Sequence, residues 1–196
     1  TPVSALLGWV DWLKNHPEKS LEIIPEMEAD LQRLEQISRR FSSMGLKSDF
    51  ENLDLSDRIE RIVNYLNLRL PSFGKTVELV NDIQPGVMIN ANGSLLAWSI
   101  ENIIRNGIDA IERDDGKVSV TLREKKDGIK IRIIDNGKGI PKKDWKNIFR
   151  PGFSTKHAGW GLGLSLSIRI VEEIHGGKLQ VLNSSKELGT TLEISL

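Results

Sequence analysis

Three groups of residues have the types and spacing needed for phosphate and purine chemistry. Asn102 and Asn106 stand four apart in SLLAWSIENIIRNGIDAI, from Ser94 to Ile111, where Leu96, Ile100, Ile103, Ile104 and Ile111 recur at helical spacing. Both amides therefore share one face of an amphipathic helix. Asp135 opens DNGKGI after the alternation Ile129, Ile131, Ile133, which reads as a strand. Glycine permits a tight turn and close backbone approach, so the Asp135 carboxylate can sit at the strand end and accept a hydrogen bond from a purine amino group. The third group, Gly159-Trp160-Gly161-Leu162-Gly163-Leu164, opens an apolar helix ending near Ile174. Backbone N–H groups at a helix N-terminus, unobstructed by Cβ atoms, favour a polyphosphate. Between the glycine clusters, a short helix-like segment and a loop carry Phe149, Phe153 and Lys156, the makings of a mobile cover over a phosphate-bearing ligand. Taken singly, an Asn pair on a helix is usually solvated surface and an Asn-Gly after a strand a hairpin turn. Their order along the chain is what points to a nucleotide.

The remaining pattern supplies elements to position these groups. Val3, Leu6, Leu7, Val10 and Leu13 predict a short helix broken at Asn15-His16-Pro17. Ile24, Met27, Leu31, Leu34, Ile37, Phe41 and Met44 predict a second, closed by Gly45, with Pro25 kinking it or marking a late start. Two such narrow apolar stripes are best buried by pairing with a second copy, so an antiparallel hairpin forming a four-helix bundle in a homodimer is expected. Lys47 to Phe50 reads as a polar joint. Leu53 and Leu55 suggest a short strand, Ser56 or Asp57 a cap for a helix to about Leu70, stopped by Pro71. Val77 and Leu79, then Val87 and Ile89, read as strands; Val118, Val120 and Leu122 pair with Ile129 to Ile133 across a turn at Lys125 to Gly128. Leu179 to Leu182 and Thr190 to Leu196 complete a mixed sheet covered by helices on one face, an α+β, two-layer sandwich. The expected division is residues 1–46 for the helical hairpin, 47–52 for a linker and 53–196 for the nucleotide domain.

Composition narrows the function classes. The 196 residues are 39% hydrophobic, enough for one compact domain and a smaller helical piece. Lys plus Arg and Asp plus Glu are both 27, so no global field argues for nucleic acid or a membrane surface. There is no cysteine, hence no disulfide framework, thiolate metal site or cysteine nucleophile. A reducing cytoplasm fits. No apolar run reaches the roughly 18 residues of a membrane span, so any anchor of a parent protein is expected upstream of this chain.

The Asn helix, DNGKGI, IFRPGFSTK and GWGLGL together resemble the N box, first glycine box, F box and second glycine box of sensor histidine protein kinases, whose ATP-binding fold is shared with gyrase, heat-shock chaperone and mismatch-repair ATPases. The resemblance implies ATP and Mg²⁺ as cofactors. It implies Asn106 as the Mg²⁺ ligand, Asn102 supporting the phosphate side, and Asp135 reading adenine. Asp109, Gly137, Gly139, Ile140 and Phe149 would line the nucleotide, while Lys156, Gly159, Trp160, Gly161, Leu162 and Gly163 would hold the phosphates under the lid. Asn106 and Lys156 would serve the transfer itself, and a response regulator receiver domain would be the downstream partner. Thr1-Pro2-Val3-Ser4 looks like the tail of the family's H-E-x-x-T-P motif, so the acceptor His is expected just upstream of residue 1, with the role of Thr1 in phosphatase activity open.

Two positions depart from the family's pattern: Trp160 replaces a small residue, and Gly107 stands where Ala is common, at about 1 kcal/mol of helix stability unless close packing requires it. Related ATPases carry a water-activating Glu four residues before the Mg²⁺ ligand. Here that position is Asn102, which cannot act as a base near neutral pH, and this favours transfer to a protein over hydrolysis. Of the histidines, His16 falls in a turn, His157 in the lid, and His175 before Gly176-Gly177 at a helix end where an imidazolium suits the dipole. A serine-type kinase or anti-sigma switch, and a non-enzymatic nucleotide-dependent docking module, are the competing readings on the same fold.

Overall fold

A computed structural model describes residues 2–28, 31, 50–73, 76–154 and 161–196. The expectations placed on Thr1, on Leu34 to Gly45, on the start of the joint at Lys47 and on Lys156, His157, Gly159 and Trp160 fall outside these residues. The chain forms two compact units, one comprising the described residues up to 31 and the other those from 50 onward.

In the first unit, helix α1 (Pro2–Asn15) begins with proline at a position whose N–H has no helical partner. It ends at Asn15, whose Nδ2 donates to the Asp11 carbonyl at 2.9 Å. The His16 ring stacks on Trp12 with centroids 4.4 Å apart, and the Lys19 ammonium lies over the same indole. A 3-10 turn (Pro17–Lys19) leads into a second helical stretch, α2, over 20–28. Pro25 lies inside it and does not delay its start. Leu7, Val10, Leu21, Ile24 and Leu31 are all exposed.

In the second unit, β1 (Glu51–Asp54) pairs antiparallel with β3 (Met88–Ala91), Leu53 facing Ile89. Leu55 is the first residue of α3 (Leu55–Arg69) and not part of the strand, because the cap is Asp54: its Oδ1 accepts the Asp57 N–H at 3.1 Å. Ser56, expected as a cap, is buried, accepting the Val87 N–H and donating to the Gln84 carbonyl. Pro71 falls in the 3-10 turn (Leu70–Phe73) that ends α3.

Five strands form the main sheet in the order β2 (Val77–Ile83), β4 (Gly116–Lys125), β5 (Gly128–Asp135), β7 (Gly189–Ser195), β6 (Lys178–Ser185). The pair β2–β4 is parallel and the others antiparallel, so the sheet is mixed. Two helices complete this unit: α4 (Gly93–Ala110), capped by Asn92 accepting from the Leu95 N–H at 2.9 Å, and α5 (Gly163–Arg169), which continues as a π-helical turn (Ile170–Ile174). Alternate sheet residues, among them Leu79, Val118, Val120, Ile131, Ile133 and Ile194, share one core with Ile59, Ile62 and Leu66 of α3 and Ile100, Ile103, Ile104 and Ile108 of α4. The outward positions carry ion pairs such as Lys117–Glu78 and Arg132–Glu193. Helices thus cover one face of the sheet, the two-layer α+β arrangement expected.

Candidate functional site

Helix α4 is the element on which the site is assembled. Gly107 packs it against the sheet: a Cβ there would lie 3.4 Å from the Asp135 Cβ and 3.6 Å from the Val118 methyls, ordinary contact distances. Helix α4 therefore lies directly on the strand end that carries the Asp135 carboxylate. Because these distances leave room for a methyl, close packing does not demand glycine. Gly107→Ala is expected to stabilise the protein by about 0.5–1 kcal/mol, read as a rise of a few degrees in Tm.

The first glycine cluster is pinned to the C-terminal end of α4. The Lys138 N–H donates to the Ala110 carbonyl at 3.0 Å, and a Cβ on Gly137 would meet the same oxygen at 2.5 Å. Gly139 has φ of +71° and lies against the Ser185 carbonyl. Asn136 fixes the other side, its Oδ1 accepting from the Lys117 N–H at 2.7 Å and its Nδ2 donating to the Asp115 carbonyl at 2.8 Å.

Asp135 is 6% exposed. Its Oδ1 accepts the N–H groups of Gly137 at 2.9 Å and Thr190 at 3.3 Å. Burial pushes its pKa up to about 6, and the two backbone hydrogen bonds only partly offset that. The rise from 3.8 to about 6 corresponds to about 3 kcal/mol against the ionised form. This contribution favours the fold below pH 3.8, where the group is neutral in both states, and is lost as pH rises through about 6.

Sequence reasoning missed Ser184, Gly189 and Thr190. Ser184 Oγ accepts the Ile140 N–H at 2.7 Å and shares a hydrogen bond with Thr190 Oγ1 at 2.9 Å. A hydrogen-bond chain thus runs from Ile140 through Ser184 and Thr190 to Asp135. Gly189, with φ of +75°, leaves no room for a Cβ beside the Asp135 carbonyl. The available signal was the alternation Thr190, Leu192, Ile194, which places a hydroxyl on the inward face of a strand.

The F box supplies a buried Ile148 and half-buried Phe149 and Phe153, both packed on the core. The indole of Trp145 donates to the Ile140 carbonyl at 3.0 Å, tying this segment to the glycine loop. Gly161 closes the far side: its carbonyl accepts the Gly152 N–H at 3.1 Å, its φ is +61°, and a Cβ added to it would lie only 2.4 Å from the Phe153 carbonyl oxygen.

Asn102 and Asn106 are both half-buried on α4. Asn102 Nδ2 donates to Ser167 Oγ of α5 at 3.0 Å, and its amide occupies the space beside Gly163. Glu101 pairs with Arg105 one turn on. Asp109 is exposed, and Ile140 and Leu162 are half-buried. Among the described residues no group of three or more His, Cys, Asp and Glu side chains is placed to hold a metal. The expectation of an imidazolium at His175 is corrected: Nε2 accepts the Asn92 N–H at 3.1 Å, so Nδ1 bears the proton and donates to the Ile170 carbonyl at 2.7 Å. The neutral ring joins the start of α4 to the π-turn.

Residues 92–196 match the family described as histidine kinase-, DNA gyrase B-, and HSP90-like ATPase, and the chain belongs to that family. Over the full chain it is 27% identical to sporulation kinase B of Bacillus subtilis (strain 168), covering 46% of that protein. Over 59% of the chain it is 40% identical to the sensor histidine kinase ZraS of Escherichia coli (strain K12), covering 24% of it. The chain thus spans about half or less of the length of these relatives. The mycobacterial sensor histidine kinase MprB superposes on 75% of the chain with a TM-score of 0.65 and 26% identity, covering 96% of that structure. The histidine kinase ThkA, solved in complex with the response regulator protein TrrA, shares the fold over the whole chain with a TM-score of 0.72 and 21% identity, covering 57% of its length.

Proposed function

We propose that the chain is the ATP-binding catalytic core of a sensor histidine kinase, which transfers the γ-phosphoryl group of ATP to a histidine for relay to an aspartate of a response regulator receiver domain. The observation that carries this reading is the buried Asp135, pressed by Gly107 onto the helix bearing Asn102 and Asn106, in a chain of the ATPase family. Adenine is read by the Asp135 carboxylate accepting from the amino group, with Gly137, Gly139 and Ile140 shaping the pocket and Phe149 beside it. Gly161, Leu162 and Gly163, with Lys156, Gly159 and Trp160, hold the phosphates, and Asp109 lies at the edge of the site.

Asn106 is the metal ligand. A neutral amide oxygen is a hard donor of the kind Mg²⁺ takes, since that ion keeps several waters and is held largely by substrate phosphates. When bound, the ion withdraws charge from the phosphates. The chain's own part is to hold the triphosphate in line with the acceptor imidazole and to exclude water. With Asn at 102, no general base stands one turn before the metal ligand, and transfer is favoured over hydrolysis.

The protein acts as a cytoplasmic homodimer. Residues 1–46 form the pairing hairpin, residues 47–52 a linker and residues 53–196 the catalytic domain. The exposed Leu7, Val10, Leu21, Ile24 and Leu31 support this, being apolar surface that a lone unit leaves in water. Among the described residues no helix is long and apolar enough to cross a membrane. Thr1-Pro2 matches the tail of the H-E-x-x-T-P acceptor motif, and none of His16, His157 and His175 stands in such a motif. Incubated with labelled Mg·ATP, the present chain is expected to bind nucleotide and dimerise without forming a base-stable, acid-labile phosphate; such a species on His16, His157 or His175 would place the acceptor elsewhere.

Binding also acquires a pH dependence. The adenine amino group donates to the ionised carboxylate, so ATP affinity is expected to fall about tenfold per pH unit below about 6. Calorimetry at pH 5 and 7.5 measures this, and equal affinity at both would remove the carboxylate from the contact.

A further inference from the structure

We propose that Asn102 is a positioning residue: it acts on the nucleotide through α5, by its hydrogen bond to Ser167, and does not itself touch the phosphates or the metal. This rests on the reading of the site as an ATP site. The Asn102 amide is turned onto α5, Nδ2 donating to Ser167 Oγ at 3.0 Å. An ideal Cβ on Gly163 would lie 2.5 Å from Asn102 Oδ1 and 2.9 Å from Nδ2, so the amide fills the volume that a side chain at the first residue of α5 would need.

Ser167 is fully buried. If Asn102 swung away toward a ligand, the Ser167 hydroxyl would lose that donor in a place where water does not replace it. Three residues earlier on α4, Ser99 Oγ is already buried with no hydrogen-bond partner among the described residues. A second orphaned hydroxyl beside the same helix makes that swing unfavourable. The bond therefore holds α5 at a fixed distance from the helix that carries Asn106. On this account the glycine at 163 serves to admit the Asn102 amide.

The test is a double-mutant cycle on the chain, with ATP and adenosine titrated separately by calorimetry in the presence of Mg²⁺. Ser167→Ala, Asn102→Ala and the double variant are each expected to weaken ATP binding by the same factor, about threefold to tenfold for one lost hydrogen bond, and to leave adenosine affinity unchanged. Should Asn102→Ala fail to fold, Asn102→Ser replaces it in the cycle. Wild-type ATP affinity in Ser167→Ala beside a loss in the Asn102 variant would overturn the proposal, since Asn102 would then act directly. So would additive losses, or an equal loss for adenosine, which would indicate general damage to the fold. Failure of the unsubstituted chain to bind ATP at all would instead overturn the ATP site itself.

Discussion

Asp135→Asn is expected to weaken ATP binding by about tenfold to a hundredfold while leaving the fold intact. The backbone N–H groups of Gly137 and Thr190 both point at Oδ1, so an amide in this place keeps its oxygen on them and turns its NH₂ to where Oδ2 stood. A donor then faces the adenine amino donor, and the loss of an acceptor with one group left unpaired is worth about 1–3 kcal/mol. The same substitution removes the ionised group whose burial opposes folding above pH 6, so the free protein should be as stable as the parent or more so at neutral pH. Calorimetry and thermal unfolding at pH 7.5 give both halves. Unchanged ATP affinity in a folded variant would take Asp135 out of the site.

Asn106→Ala should reduce phosphotransfer to a supplied acceptor by about a hundredfold to a thousandfold, the scale of removing one preorganised group that stabilises transition-state charge. Adenosine affinity should hardly change, because the pocket around Asp135 is built from β5, β7 and the loop pinned at Ala110. Asn106→Asp retains an oxygen but adds charge beside the triphosphate, and it should also impair transfer. A variant with wild-type transfer rate would refute the metal-ligand role.

The parts of this protein legible in its sequence are those governed by short-range pattern. Apolar spacing gave α4 to within a residue, 93–110 against the expected 94–111, and alternation gave the β4–β5 hairpin leading to Asp135. The start of α3 was misread because Asp54, Ser56 and Asp57 all satisfy capping chemistry; what decides is that Ser56 is drawn inward to Val87 and Gln84, more than 25 residues away. Long-range pairing likewise hid the parallel β2–β4 contact and the support of Asp135 by Ser184 and Thr190, which arrive from β6 and β7 some 50 residues later. His175 was misassigned for a related reason. A helix end argues for a cation, but the partner that fixes its neutral form, the Asn92 N–H, lies 83 residues away.

The central claim is transfer of phosphate from Mg·ATP to histidine, and the direct measurement uses the chain extended upstream with His-Glu at the spacing that completes H-E-x-x-T-P with Thr1 and Pro2. Incubation with γ-labelled ATP and Mg²⁺ should give a labelled protein that loses its phosphate in acid, keeps it in base, and passes it to a receiver domain. A label that survives acid, as phosphoserine does, or an extended chain that binds ATP and acquires no label, would contradict the account.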